Sequence, residues 1–519
     1  MKLGSIFSSM ASRQGGKEAI VCGDQRLSFS ELDKSTTRIA HSLLAAGKKP
    51  GDRIAVYAPN SVELVTAMIG ILKMGGVLVP VSTHLTPSEV AFVVDTARPT
   101  AIFFSSDVRA AAHAAANSLQ APLMIATDGD IETGELSLED LIAGGGEHEL
   151  PFLPLEPDDC LIAFTSGTTG RPKGAISTHA NVAIYSGFLN SVEYGLTDRD
   201  IILVPTSMAH RTGLSRMGNL FLSGSKLVIM RKFDAKEAVD LIERERITVL
   251  SCVPTVVRLL LPEIERRPEA VSSLRLITAT GEVFPVELKD RLSAAATHIG
   301  LYTYYAGTET GTVTALHPHE QDRHSDSMGR LVPGVEVRIV NQDMEDVDDG
   351  DAGEMLVRCG APGSFTIMRA YLDLPEATAE AFVGDWLRSG DIVRRDKDGY
   401  FYFVDRAKDM IVSGGYNIYS KEVELTLLEH PAVADAAVIN VPDRQFGEAV
   451  MAYVELNPDA EPTADELIQL CRDRIASYKK PKYVRYIDHL PRTTTGKVLK
   501  ATLRELAAED AEVSGNAGE

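Results

Sequence analysis

The stretch TSGTTGRPKG, residues 165–174, gathers hydroxyl side chains, glycines and two cations into one decapeptide. Glycine lets a backbone approach a ligand closely. The N–H groups and hydroxyls of such a loop can therefore wrap an anion, with Arg171 and Lys173 adding charge. The spacing of the mononucleotide P-loop is met from neither Gly167 nor Gly170. Read alone, a Ser/Thr/Gly cluster is also a common surface turn. Here it follows a strand ending at Phe164–Thr165 and precedes a helix beginning near Thr178, a strand–loop–helix setting that suits a phosphate. Near the other end, PRTTTGKVLK (491–500) sets Lys497 on a Pro/Thr/Gly turn. Most lysines are solvated, but one so presented can also be delivered to a reacting anion. His210, in VPTSMAHRTGL, has no Asp or Glu between residues 205 and 218 to make it a general base.

These residues need a scaffold, and the hydrophobic pattern supplies one. From about residue 50 to 305, short β-rich runs alternate with helical patterns: IAVYA (54–58), VLVPV (77–81), TAIFF (100–104), LIAFT (161–165), IILVP (201–205), KLVIM (226–230), TVLSCV (248–253) and LRLITAT (274–280). Such alternation predicts an α/β fold of mainly parallel sheets covered by helices, with ligands at the carboxyl ends of the strands. VEVRIV, GEMLVRC and GYFYFVD predict a small antiparallel β subdomain over about 330–405. From about 406 a smaller α+β unit follows, with helices at SKEVELTLLEH and TADELIQLCRDRIAS. The acidic final residues, AEDAEVSGNAGE, are expected to fray.

Composition narrows the partners. The 519 residues are 44% apolar and 24% charged, as in a soluble globular protein, and too many for one core. The 52 basic and 73 acidic residues leave a net charge of −21, which argues against a general nucleic-acid or anionic-membrane surface. Five scattered cysteines form no CxxC pair and read as reduced thiols without a metal framework. LVTAMIGILKMGGVLVPV is broken by Lys73 and Gly75–Gly76, so it predicts a buried helix and strand and no membrane span. With no signal-peptide pattern at the N-terminus, the expected location is cytoplasmic.

Five segments in order carry a resemblance. TSGTTGRPKG resembles the phosphate loop of the adenylate-forming (ANL) superfamily, and TYYAGTET (303–310) its Tyr-Gly-x-Thr-Glu segment. WLRSGD (386–391) is similar to its Trp-x-x-Thr/Ser-Gly-Asp segment. DRAKDMIVSGGYNIYSKEVE (405–424) resembles its hinge and Gly-Gly loop, and PRTTTGKVLK its C-terminal lysine motif. The resemblance spans essentially the whole chain and points to the acyl-CoA synthetase branch. It implies an adenylation domain over 1–405 and a mobile C-terminal lid over 406–519, hinged near Lys408. The implied reaction joins ATP and a carboxylic acid into acyl-AMP with release of pyrophosphate. Transfer to CoA then gives the thioester and AMP.

The resemblance also implies roles. Thr165, Ser166, Gly167, Thr168, Thr169, Gly170 and Lys173 would hold the β- and γ-phosphates. Thr308 would contact the α-phosphate region, and Glu309 would bind Mg²⁺, a hard cation that takes carboxylates. Asp391, a two-oxygen acceptor, would receive the ribose hydroxyls, with Arg406 as a second ribose or phosphate contact. The Gly281–Glu282 turn and Tyr305 would line the adenine slot, and His210 would gate the acyl pocket. Lys497 would bind the carboxylate and α-phosphate in one lid orientation. In the other, Gly414 and Gly415 would border a pantetheine tunnel.

Ala306 stands where the family usually has glycine, with Gly307 in the variable place, which implies a reshaped acyl pocket. The lack of an acid over 205–218 disfavours an amino-acid substrate. Arg211 and Arg216 in that stretch could pair a second carboxylate, although outward-facing arginines are the commoner arrangement. Met208, Leu214, Val283 and Phe284 suggest a hydrophobic tail or ring. No carrier-protein serine motif follows residue 500, as expected of a stand-alone enzyme. Transfer to an amine instead of CoA, and an inactive nucleotide-binding scaffold, are the rival readings. Monomer and homodimer both stay open.

Overall fold

Parallel strands cannot be joined by tight turns, so each needs a crossover helix, and that requirement organises the first two-thirds of the chain. The computed structural model describes residues 2–150, 158–165, 172–413, 416–443, 445–458, 460–492 and 498–515, with 510–515 as backbone only. Among them two compact units separate. The larger lies within Met1–Val337 and Val357–Leu387, the smaller within Arg338–Leu356 and Arg388–Glu519. The class is mixed α/β, with parallel sheets in the large N-terminal part and a smaller, β-rich C-terminal part.

The larger unit holds two sheets. In the nine-stranded one, Gly300–Gly307, Leu276–Ala279, Val249–Cys252, Ile201–Val204, Lys226–Ile229 and Glu18–Cys22 run parallel in that spatial order. Antiparallel strands Gly311–Leu316 and Arg330–Leu331 extend one edge, and Gln25–Ser28 the other. The eight-stranded sheet places Val77–Val81, Arg53–Tyr57 and Ala101–Phe104 at its parallel centre. Their residues are buried on both faces, as continuous apolar runs such as VLVPV require. The helix Val62–Lys73 between the first two is buried almost throughout. Lys73, the charge that interrupts this apolar stretch, is buried and bonds Asp33 at 2.5 Å and Thr37 at 2.8 Å. Local chemistry marks the helix starts: Ser28 with Glu31, and Thr86 with Glu89, form capping boxes.

The helix expected near Thr178 starts at His179, with Thr178 as its cap. Between loop and helix the structure adds a strand that was not expected: Lys173–Thr178 pairs antiparallel to Asp159–Thr165. Sheet pairing of Ala175 and Ile176, both buried, outweighs the loop-like look of the segment.

In the smaller unit, Asp391–Arg395 pairs antiparallel with Phe401–Arg406. A second sheet there joins Val433–Asp443, Gly447–Leu456, Ile411–Ser413, Tyr416–Ile418 and Tyr483–Tyr486. Helices Ser420–Leu428 and Ala464–Arg474 cover it through Val423, Leu427, Leu467 and Cys471. Of the final residues expected to fray, 508–515 continue the helix Lys500–Gly515, which is seated by Leu503 and Ala507 on Ala437, Ile439 and Tyr453, and 516–519 lie outside the described residues. Among the described residues no helix is long and apolar enough to cross a membrane.

Candidate active site

The decapeptide loop is closed at its base by a strand pair, Thr165 opposite Lys173. Ser166, Gly167, Thr168, Thr169 and Gly170 lie outside the described residues, as do Gly414, Gly415 and Lys497. What is described is the frame that holds their neighbours.

Glu309 sits at the turn between strands Gly300–Gly307 and Gly311–Leu316. Its Oε1 accepts hydroxyls from Tyr371 at 3.0 Å and from Thr165 at 3.3 Å. Its backbone carbonyl accepts the Met368 N–H at 2.8 Å. Tyr371 belongs to the edge strand Ala370–Tyr371, paired with Ala175–Ile176, and the Lys173 ammonium lies 5.0 Å from its ring centroid. Burial and the neighbouring Glu309 charge both raise the Tyr371 phenol's pKa, so it stays a protonated donor. Two sheet edges thus bring Thr165, Lys173, Tyr371 and Glu309 together. No cation pairs with the Glu309 carboxylate among the described residues. A half-buried carboxylate held by hydroxyls and lacking a cation fits a Mg²⁺ ion, which takes one or two carboxylates and completes its shell with water and phosphate oxygens.

Thr308 and Gly307 are fixed from the other side. Arg211 donates from Nη1 to the Gly307 carbonyl at 2.6 Å and the Thr308 carbonyl at 3.0 Å, and its guanidinium lies 4.0 Å from the Tyr185 ring centroid. Gly307 is required by space: a Cβ there would lie 2.7 Å from the Thr310 hydroxyl that bonds its N–H at 3.0 Å. Tyr305 follows Tyr304 on the same strand, opposite Thr314, with a register shift before Ala306.

His210 caps the helix Arg211–Leu222 through its backbone, and burial lowers its imidazole pKa, followed by the charge of His84. It is therefore a neutral side chain and not a charge. The segment before it is stapled by Asn60, which donates to the Thr206 and Met230 carbonyls and accepts the Met208 N–H. Gly281 adopts φ +98°, a left-handed conformation that favours glycine. Glu282 beside it accepts the Thr255 N–H at 2.8 Å and hydroxyl at 2.7 Å, so its carboxylate anchors the turn to the preceding helix, Pro254–Arg266.

In the smaller unit Asp391 is 1% exposed, pairs in register with Arg406, and holds its Nε at 2.9 Å. Burial lowers the Lys408 pKa, against the opposing pull of Asp409. Asp409 in turn bonds Arg504 at 2.8 Å, on the helix that follows the lysine motif. The motif's flanks meet in a bridge, Arg492 opposite Val498, and Lys500 pairs with Glu424 at 2.6 Å.

Two expectations about the acyl side change. Arg216 does not face outward: it is 1% exposed. Of the apolar residues singled out, Val283 is 55% exposed, while Met208, Leu214 and Phe284 are buried. No periodicity marks Arg216, because its helix is buried on all sides from Gly213 to Phe221. Tyr371, Tyr185 and Asn60 carry no sequence signal either, because their partners are distant in the chain.

An AMP-binding enzyme family model matches residues 7–372, and an AMP-binding enzyme C-terminal domain model matches 422–497. A 7a-methyl-1,5-dioxo-octahydro-1H-inden-4-yl propanoyl:CoA ligase of Rhodococcus jostii is 34% identical, covering 96% of this chain and 98% of that protein. An indoleacetate–CoA ligase of Aromatoleum aromaticum is 33% identical, covering 98% of each. Among solved structures, ATP-bound MatB from Rhodopseudomonas palustris superposes with a TM-score of 0.86 at 29% identity, covering 98% of this chain and 99% of that one.

Proposed function

Since the chain belongs to the AMP-binding enzyme family, we propose that it is an AMP-forming acid–CoA ligase acting on a carboxylic acid with a cyclic body. Full-length identity to CoA ligases carries the reaction class, and the two named relatives, both of ring-bearing acids, support the substrate. Five free cysteines suit a reducing, cytoplasmic setting.

An anionic carboxylate attacks an anionic phosphate and expels another anion, so donors and cations must stand where charge accumulates. In this reading Thr165, Lys173 and loop residues 166–170 hold the outer phosphates, and Thr308 faces the α-phosphate. Mg²⁺, when bound at Glu309, neutralises phosphate charge. Tyr371 and Arg211 position rather than react: one orients the Glu309 carboxylate, the other fixes the carbonyls of Gly307 and Thr308. Tyr305 and the Gly281–Glu282 turn border adenine, and Asp391 with Arg406 takes the ribose. His210 separates nucleotide from acyl group. Residues 406–519 act as a lid hinged at Lys408, presenting Lys497 for adenylation and Gly414–Gly415 for CoA.

The test is product analysis. Purified protein with ATP, Mg²⁺ and a panel of cyclic, aromatic and linear acids should give acyl-CoA and AMP when CoA is supplied. Amide formation with amines but no thioester would instead make it an amide-forming ligase, and no acid-dependent pyrophosphate release from any acid would leave only a nucleotide-binding scaffold.

A further inference from the structure

Arg216 is among the largest fully buried side chains of the protein, and its charge has no carboxylate within ion-pair distance among the described residues. Its Nε and Nη2 both donate to a single oxygen, the Ser215 hydroxyl, at 3.2 and 2.8 Å. Nη1 is buried with no partner. A guanidinium has five N–H donors, so most of this one's capacity is unmet. Buried polar groups are nearly always hydrogen-bonded, and an unpaired buried charge costs several kcal/mol. As a stability device the arrangement fails, since an apolar side chain of similar length would serve better.

The surroundings place this charge on the acyl side. Arg216 lies on the helix whose first residue, Arg211, bonds the carbonyls of Gly307 and Thr308. Five residues separate them, about 7.5 Å along the helix axis. Burial raises the Tyr194 phenol's pKa, and the nearby Arg216 guanidinium opposes that rise. The Tyr194 and Tyr304 ring centroids are 5.7 Å apart, and Tyr304 immediately precedes Tyr305 on its strand. Glu193, the neighbour of Tyr194 in the chain, is already engaged by the Tyr302 hydroxyl at 2.7 Å and His317 at 3.0 Å. The helix is also stacked closely on the π-helical turn Ile184–Phe188, where a Cβ at Gly218 would meet Ser186 at 2.1 Å. Such π-turns recur at functional sites.

We infer that Arg216 is a specificity residue for an acid that carries a second oxygen acceptor, a carboxylate or a carbonyl, at the end remote from the reacting carboxyl group. This rests on the acid–CoA ligase reading. A carboxylate satisfies the unused N–H groups and cancels the charge; a carbonyl satisfies the N–H groups alone.

The test uses three linear acids of one length: octanoate, 7-oxooctanoate and octanedioate. The wild-type enzyme should prefer one or both oxygenated acids over octanoate in kcat/KM by roughly 10- to 100-fold, the value of a hydrogen bond to a charged group. The two oxygenated acids distinguish carboxylate from carbonyl recognition. Arg216→Met should erase that preference while leaving octanoate unchanged or improved. Without ligand, the variant's Tm should be unchanged or higher. Equal effects on all three acids, a wild-type preference for octanoate, or a Tm loss beyond about 4 °C would overturn the inference, the last by showing a structural role. The same acids are also measured as ligands by thermal shift. Stabilisation of the wild type but not of Arg216→Met by an oxygenated acid supports the assignment, and equal or absent shifts overturn it. Shifts that persist while neither these acids nor the cyclic and aromatic acids of the product panel yield a thioester would instead remove the ligase reading and leave the Arg216 subsite standing.

Discussion

Asp391→Asn tests the ribose assignment most directly. Asparagine keeps the shape of a side chain that is 1% exposed and removes only its charge. Two energies change. The pair with Arg406, 2.9 Å long, is lost, but the arginine side chain is 46% exposed, so water screens it and the stability cost is about 1 kcal/mol. The ribose term is larger. A hydrogen bond to a charged acceptor contributes about 1.5–3 kcal/mol against about 0.5–1.5 for a neutral one. For two hydroxyls the difference is about 2–3 kcal/mol, or roughly 30- to 150-fold in the dissociation constant of ATP. Calorimetric titration with ATP and with 2′,3′-dideoxy-ATP separates this from general damage. Wild-type protein should lose more affinity on going to the dideoxy nucleotide than Asp391→Asn does, because the variant has only the weaker neutral hydrogen bonds to lose. Unaltered ATP affinity in the variant, or two losses that simply multiply, would refute the assignment.

Glu309→Gln should reduce acid-dependent pyrophosphate release at least about 100-fold, and excess Mg²⁺ should not restore it if the carboxylate is the metal's protein ligand. Lys497→Ala should slow acyl-AMP formation by about 100- to 1000-fold while sparing thioester formation from supplied acyl-AMP; equal loss in both half-reactions would sink the two-orientation scheme. Acid stability follows from Glu245, whose carboxyl is drawn down from 4.5 to about 2, mainly by its hydrogen bond from Arg26. Because the folded value is depressed, its contribution is complete above about pH 4.5 and is lost as pH falls through 2. With Arg26's side chain 41% exposed, about 2–3 kcal/mol is at stake, so Glu245→Gln should flatten the fall of Tm between pH 5 and 2.

The sequence by itself determined the alternation of strands and helices, because short, β-branched apolar runs such as VLVPV and IILVP, set between amphipathic helical patterns, suit strands buried on both faces. It also supplied the candidates for phosphate, ribose and metal, since the family resemblance that implies them is carried by contiguous motifs. Only the tertiary structure decided what surrounds them. Tyr371 reaches Glu309 across 62 positions, and Arg211 reaches Gly307 across 96. Contacts of that separation depend on which sheet edges meet, which no local pattern encodes. Arg216 makes the same point in reverse. From its neighbours in the chain it resembles a solvated arginine; only the packing of its helix against Ser186 and the tyrosines turns it inward, and burial changes a surface charge into a demand for a partner.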